Sequence, residues 1–243
     1  ALTAKVRYLV SYLDGANVSL SEVAKHRDDL VALLRRAPLD GPLGAAVTEA
    51  RGSGLLTDVQ ATGNLVFLMV AGTASSTCAI ANTLMCMLND PSRLQDVVSQ
   101  RTRAVDTVRE ALRLHTPVHF VPRFASSPVQ LGGVTIPQGY PVQLCVASAN
   151  RDETRFENPD CWLPHRAESS DNLSFGSGSH GCLGARLGET EVAVLLQALA
   201  SRFTAAPAVG PVNTSGWVFR RPVSLRGVLS TGANSGVSWT RRQ

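Results

Sequence analysis

The stretch FGSGSHGCLGARLG, residues 175 to 188, sets a single thiol, Cys182, and a single imidazole, His180, among glycines at 176, 178, 181 and 184. Glycines there permit positive φ and let a ligand approach the main chain closely. The pattern turns apolar and helical after Leu183, which puts Cys182 at the start of a predicted helix. Unpaired N–H groups and the helix dipole favour a thiolate at such a place. A thiolate is a nucleophile or a metal ligand. Nucleophilic catalysis needs a positioned base, and His180, two residues away in the same loop, is a weak sign of one. The five cysteines, at 78, 86, 145, 161 and 182, form no C-x-x-C pair, which argues against zinc. A lone soft ligand suits an iron already held by something else, namely haem.

Two further features of the chain stand out by residue type and spacing. Glu110 and Arg113 stand three apart and share one face of a predicted helix. From Val59 to Asn89 there is no charged residue. As one helix the run would span roughly 45 Å, long enough to cross a bilayer. Asn64, Thr73, Ser75, Ser76, Thr77, Asn82 and Thr83 interrupt it, and acids sit at both ends where a membrane span prefers basic or aromatic anchors. A helix buried inside a protein is the favoured reading.

The elements that must position these groups read as mainly α with a minor antiparallel β sheet. Residues 1 to 36 carry helical apolar spacing broken at Gly15-Ala16-Asn17, with Ser19 a candidate cap ahead of Glu22. A short helix is expected around Leu43 to Ala50, then the long uncharged helix, then one helix from about Leu94 to Leu114, stopping near Pro117. Alternating segments follow from Val118 to Val146, with Gly132-Gly133 in "VQLGGVTIP" marking a hairpin. Residues 150 to 174 read as irregular, 183 to 203 as an amphipathic helix, and the last forty as turns and short strands.

Composition narrows the partners. Hydrophobic residues make up 44% and charged residues 17%, the balance of an ordinary globular chain. The net charge of +4 comes from scattered arginines without a concentrated stripe or aromatic stacking partners, so nucleic acid is not expected. The odd, widely spaced cysteines fit a reducing cytoplasm rather than a disulfide framework. No membrane partner and no amino-terminal signal stretch are expected, although the chain opens at Ala1 without a methionine.

The loop resembles the haem-binding motif of the cytochrome P450 family, F-G-x-G-x-H-x-C-x-G, matched at Phe175, Gly176, Gly178, His180, Cys182 and Gly184. Glu110 and Arg113 match the family's E-x-x-R, and "NPDCWLPHR" resembles the segment whose arginine, here Arg166, completes that ion-pair network. "PVHFVPRFA" and "ASANRDETRF" also resemble bacterial members. The resemblance implies haem b with Cys182 as the axial thiolate, whose electron push favours O–O cleavage. It implies Phe175 shielding the sulfur and Arg123 and His180 pairing with propionates. Glu110, Arg113 and Arg166 are expected to be a structural salt-bridge network, and His115, His119 and His165 surface or packing residues. Val118, Phe120 and Val121, with the turn after Trp217, are expected to line a substrate pocket, and Ala71 and Gly72 to let haem and dioxygen lie against the long helix. One cytochrome P450-like domain is expected over 1–243. Its parts are helices before the oxygen helix (1–58), the long buried oxygen helix (59–89), the E-x-x-R helix with sheet and meander (90–174), and the thiolate loop with terminal strands (175–243).

Two departures shape the functional expectation. The family's A-G-x-(D/E)-T places Ala74 at the acid position and Ser75 at the alcohol, so the hydroxyl of the proton relay is retained without its carboxylate. Family members also carry a large amino-terminal portion that this chain lacks, so the expectation is either a fragment or a shortened homologue, its haem face open or covered by a partner protein. The leading expectation is a haem-thiolate monooxygenase or oxidase acting on a small molecule, by family analogy a secondary metabolite, with a ferredoxin-type electron donor. The alternatives are a non-catalytic helper or recruitment protein for a biosynthetic enzyme, and a peroxide-driven haem oxidase.

Overall fold

Apolar residues three and four apart make the opening segment two helices, α1 (Leu2–Leu13) and α2 (Leu20–Arg36), separated at Gly15, which takes φ +79°. The computed structural model describes residues 2–37 and 40–231. Val6, Leu9 and Leu30 form a small core with Val10, Val23, Val66 and Val70. Tyr8 donates to Glu22 at 2.6 Å, and Lys5 pairs with Asp29, so the polar edges of the two helices are tied as well. Ser19 does take the N-cap position of α2, with extended backbone, but its hydroxyl meets Ser21 at 2.6 Å and caps nothing. Glu22, engaged by Tyr8, is not available for a capping box.

α3 (Gly41–Gly52) precedes the long helix α4 (Asp58–Asn89), which is continuous over its whole length. The chain divides within α4 into two compact units, 1–75 and 76–243. In the first, α4 buries Ala61 and Leu65 but exposes Val59, Phe67 and Leu68. In the second, Cys78, Met85, Cys86 and Met87 are almost wholly buried. The helix expected to be buried from 59 to 89 is therefore buried along only one stripe in its first half, because α1 and α2 supply apolar partners to one side of it. By length and composition α4 is the one described helix able to cross a membrane, with 17% of its most apolar window buried. Its polar Asn82, 2% exposed, donates to the carbonyls of His115 at 2.8 Å and Arg220 at 3.0 Å, so this part of the helix is bonded into protein.

In the second unit the single helix expected from 94 to 114 is two, α5 (Ser92–Val98) and α6 (Ala104–Leu114). Gln100 adopts φ +57°, and the Thr102 N–H returns to the Asp96 carbonyl, so the chain turns where apolar spacing alone reads through. α6, α8 (Ala185–Ala200) and the end of α4 enclose the main core, with Cys86, Met87, Leu94, Val108, Ala111, Leu112, Val192 and Leu196. The strands form two-stranded antiparallel sheets. β1 (Phe120–Phe124) pairs with β4 (Pro141–Cys145), running from Phe120 opposite Cys145 to Phe124 opposite Pro141. β2 (Val129–Leu131) and β3 (Val134–Ile136) make the expected hairpin, whose Gly132 and Gly133 both take positive φ, +56° and +79°. Both central residues of a tight primed turn need that conformation. A short helix, α7 (Val146–Ala149), follows β4. β5 (Phe203–Ala208) pairs with β8 (Gly227–Thr231), and β6 (Thr214–Ser215) with β7 (Arg221–Pro222). The architecture is mainly α with small antiparallel sheets, as the sequence pattern implies.

Candidate functional site

The Cys182 loop leaves a half-buried position at Phe175 and ends in an exposed one. Phe175 packs against the main core, and its ring lies over Gly188 of α8, where a Cβ would stand 3.6 Å away in ordinary van der Waals contact. Gly176 and Gly178 both take φ +67°, a left-handed conformation that an L side chain would strain. The chain then makes a 3₁₀ turn over Gly178–His180, closed by the Gly181 N–H on the Gly178 carbonyl at 3.0 Å. The Cys182 N–H bonds back to the Phe175 carbonyl at 2.7 Å. The loop thus closes on itself and presents the Cys182 side chain outward. Cys182 and Leu183 are exposed, the latter at 91%. α8 begins at Ala185 with Gly184 at its cap, so the thiol stands ahead of the helix rather than in its first turn.

The second unit also holds a buried ion-pair network. Arg113 and Glu110 are 1% and 3% exposed, and all five N–H groups of the Arg113 guanidinium have acceptors. Two go to the Glu110 carboxylate, both at 2.9 Å, and the others to the carbonyls of Asn150 at 2.9 Å, Pro159 at 2.7 Å and Cys161 at 3.2 Å. Arg166 adds Nε to the same carboxylate at 3.1 Å and reaches the carbonyls of Glu157, Asn158 and Cys161. The Leu163 N–H donates to Glu110 at 2.9 Å. This spends the charges on folding the 157–166 meander around α6, the structural role expected for these three residues.

The residues expected at a substrate pocket meet a second strand pair. The Phe120 ring stacks on Trp217 with centroids 4.9 Å apart, Val118 bridges Phe219, and the His119 N–H donates to the Val218 carbonyl at 2.8 Å. Val121 sits beside them on β1, opposite Leu144. Arg123, on the same strand, is partly buried, and its guanidinium donates to the Pro122 carbonyl at 2.9 Å. Burial, and after it the Arg220 and Arg151 charges, hold His119 below the usual imidazole range. Burial, aided by Arg151 and Arg93, pushes His115 down to about 4. His165 is exposed and pairs with the Thr102 hydroxyl at 3.1 Å.

In the first unit, Ala71, Gly72 and Ser75 share one stretch of α4. The Ser75 hydroxyl donates to the Ala71 carbonyl one turn back, at 2.7 Å, which leaves its oxygen free to accept. Ala74, at the acid position, is 7% exposed. A cavity of about 580 Å³ in this unit, bordered by Leu34, Arg35, Ala61 and Leu65, contains none of the expected site residues. The ion pair Arg51–Asp58 also borders it.

Sequence reading passed over Asn150, Asn172 and Ser174. They carry no charge and no unusual spacing; "ASANRDETRF" was the only trace of the first. Among the described residues no group of three or more His, Cys, Asp and Glu side chains is arranged to hold a metal ion. A single exposed cysteine sulfur on a loop whose Gly176 and Gly178 take positive φ fits an iron whose other ligands come from a macrocycle.

Residues 95–224, more than half of the chain, match the family model for Cytochrome P450. The chain belongs to the cytochrome P450 family. Cytochrome P450 109 of Bacillus spizizenii is 36% identical over 178 residues, covering 73% of this chain and 41% of that protein. The 6-deoxyerythronolide B hydroxylase of Saccharopolyspora erythraea is 34% identical over 208 residues, 85% of this chain and 51% of its own. Among solved structures, cytochrome P450 CREJ superposes with a TM-score of 0.80 at 27% identity, over 89% of this chain and 57% of that one. The tirandamycin C-bound P450 monooxygenase TamI does so at 0.75 and 27%, over 94% and 54%. The chain spans about half the length of the curated relatives it matches.

Proposed function

We propose that this chain is the thiolate-bearing part of a cytoplasmic haem monooxygenase in which Cys182 would hold the iron of haem b. The observation that carries the reading is the Cys182 loop itself, with its exposed thiol, its N–H returned to the Phe175 carbonyl, and Phe175 packed on Gly188. Haem, when bound, supplies oxygen activation and electron storage. One oxygen atom enters a substrate C–H bond and the other leaves as water, with two electrons from a ferredoxin-type donor and two protons. The protein residues position and deliver. The Arg123 guanidinium and an N–H of the His180 ring are donors of the right class for propionates. Val118, Phe120 and Val121 hold a small apolar substrate, by family analogy a secondary metabolite. Ser75 accepts and passes a proton through its hydroxyl, with Ala71 and Gly72 leaving room beside it.

A peroxide-driven reaction is the second reading, favoured by the buried Ala74 where an acid would feed the relay. Hydrogen peroxide then brings both electrons and both protons, and the substrate is hydroxylated with release of one water. A helper protein without turnover is the third, and one spectrum separates it from the others. Reduced, carbon-monoxide-treated protein supplied with haem should give the long-wavelength band of a thiolate-ligated iron, and Cys182→Ser should lose it. Retention of that band in the serine variant overturns the assignment of Cys182; no band in the native protein favours the helper.

A further inference from the structure

Asn150, at the end of α7, is fully buried, and its hydrogen bonds converge on the segment that leads into the Cys182 loop. Its Nδ2 lies 2.9 Å from Thr116 Oγ1, 3.0 Å from Ser174 Oγ and 3.2 Å from Asn172 Oδ1. Its Oδ1 accepts the Leu173 N–H at 2.7 Å. Both hydroxyl protons are already committed: Thr116 donates to the Arg113 carbonyl and Ser174 to the Leu112 carbonyl, at 3.2 and 2.8 Å. Two amide hydrogens therefore serve three acceptors, while the amide oxygen must face Leu173, and only one orientation of the side chain satisfies both.

The same residue reaches the buried ion pair through its main chain, since its carbonyl accepts from Arg113 at 2.9 Å. Asn172 and Ser174 complete the attachment. Asn172 donates to the Arg109 carbonyl at 2.9 Å and accepts the Ser174 N–H at 2.8 Å. The segment 172–174 is thus pinned to the carbonyls of α6 with Asn150 at the centre. The next residue is Phe175, whose carbonyl holds the Cys182 N–H.

We infer that Asn150 is a positioning residue for the Cys182 loop: by fixing residues 172–174 on α6, it sets where the Phe175 carbonyl stands and hence where the thiol is presented. The consequence for loop order belongs to the chain without cofactor. The consequence for iron ligation rests on the assignment of Cys182 under Proposed function.

Asn150→Asp tests it, keeping the shape and the acceptor toward Leu173 but removing both donors. In the full chain without haem, amide exchange at Leu173, Gly176 and Cys182 should accelerate by about tenfold or more, while amides in the middle of α6 and α8 stay at native rates. With haem supplied, the reduced, carbon-monoxide-treated sample should shift intensity from the thiolate-type band toward the shorter-wavelength form. If the aspartate variant does not fold, Ser174→Ala decides. It removes one acceptor of the same amide and should accelerate the same loop amides by a smaller factor. Native loop exchange in a folded variant, or equal acceleration in loop and core, overturns the inference. A native protein without the thiolate band overturns the assignment of Cys182 instead, and the exchange comparison still decides Asn150.

Discussion

Arg113 and Cys182 serve the same region of the second unit from opposite situations. The guanidinium is 1% exposed and uses every N–H it has, whereas the thiol projects from an exposed loop closed by the main-chain bonds of Gly181 to Gly178 and of Cys182 to Phe175. A buried charge survives only where partners surround it, so the first cluster has to be complete. An iron ligand, the role proposed for Cys182, has to keep a valence open, so in that reading the second cannot be complete. The difference teaches that substitutions in the two places should separate stability from chemistry.

Arg113→Ala should produce the largest loss of stability. It leaves the Glu110 carboxylate buried with Arg166 as its remaining cation and strips the Arg113 donors from the Asn150 and Pro159 carbonyls, while the Cys161 carbonyl keeps Arg166. The expected cost is about 3–5 kcal/mol, read as a lowered denaturation midpoint. Arg113→Lys should recover only part, because an ammonium offers three donors in place of a five-donor fork. A midpoint within experimental error of native for the alanine variant would break the comparison.

Acid should destabilise the second unit next most. His115, pushed down to about 4, has a folded value below its ordinary 6.5, so the unfolded chain binds the extra proton first. Its contribution is fully present above pH 6.5 and is lost as pH falls toward 4, by about 3 kcal/mol at most. His119, shifted the same way, adds in the same direction. Stability measured across that window should fall with pH, and His115→Gln should flatten the slope; an unchanged slope removes His115 as the cause.

Cys182→Ser should leave the midpoint within about 0.5 kcal/mol of native, as expected for an exposed side chain, while abolishing the thiolate band. The thiols sharpen the point without mutation. Burial pushes Cys86 up to about 12, so it should resist iodoacetamide at neutral pH in the native state, whereas Cys182 in the haem-free chain should be alkylated. Rapid native-state labelling of Cys86 would show that the core around it opens.

The smallest effect on stability is expected at Ser75, whose lost bond to the Ala71 carbonyl is local to one helix. Ser75→Ala should leave haem content unchanged and, if the hydroxyl relays protons, lower coupled turnover by about 10²–10⁴-fold with release of peroxide. Full coupling in that variant would favour the peroxide-driven reading.

Spacing and residue type by themselves determined the pairing of Glu110 with Arg113, the Gly132-Gly133 hairpin, the break between α1 and α2, and the glycine loop around Cys182. Each depends on near neighbours or on a conformation that only glycine adopts readily. The tertiary structure alone decided the break that divides α5 from α6, because apolar spacing runs through Gln100 and only the return bond from Thr102 to Asp96 turns the chain there. It decided which stripe of α4 is buried, since a helix apolar all round carries no record of where its partners stand. It decided that Phe120 stacks on Trp217, and it placed Asn150 against Thr116 and residues 172–174, where a neutral amide bonds to segments that only folding brings together.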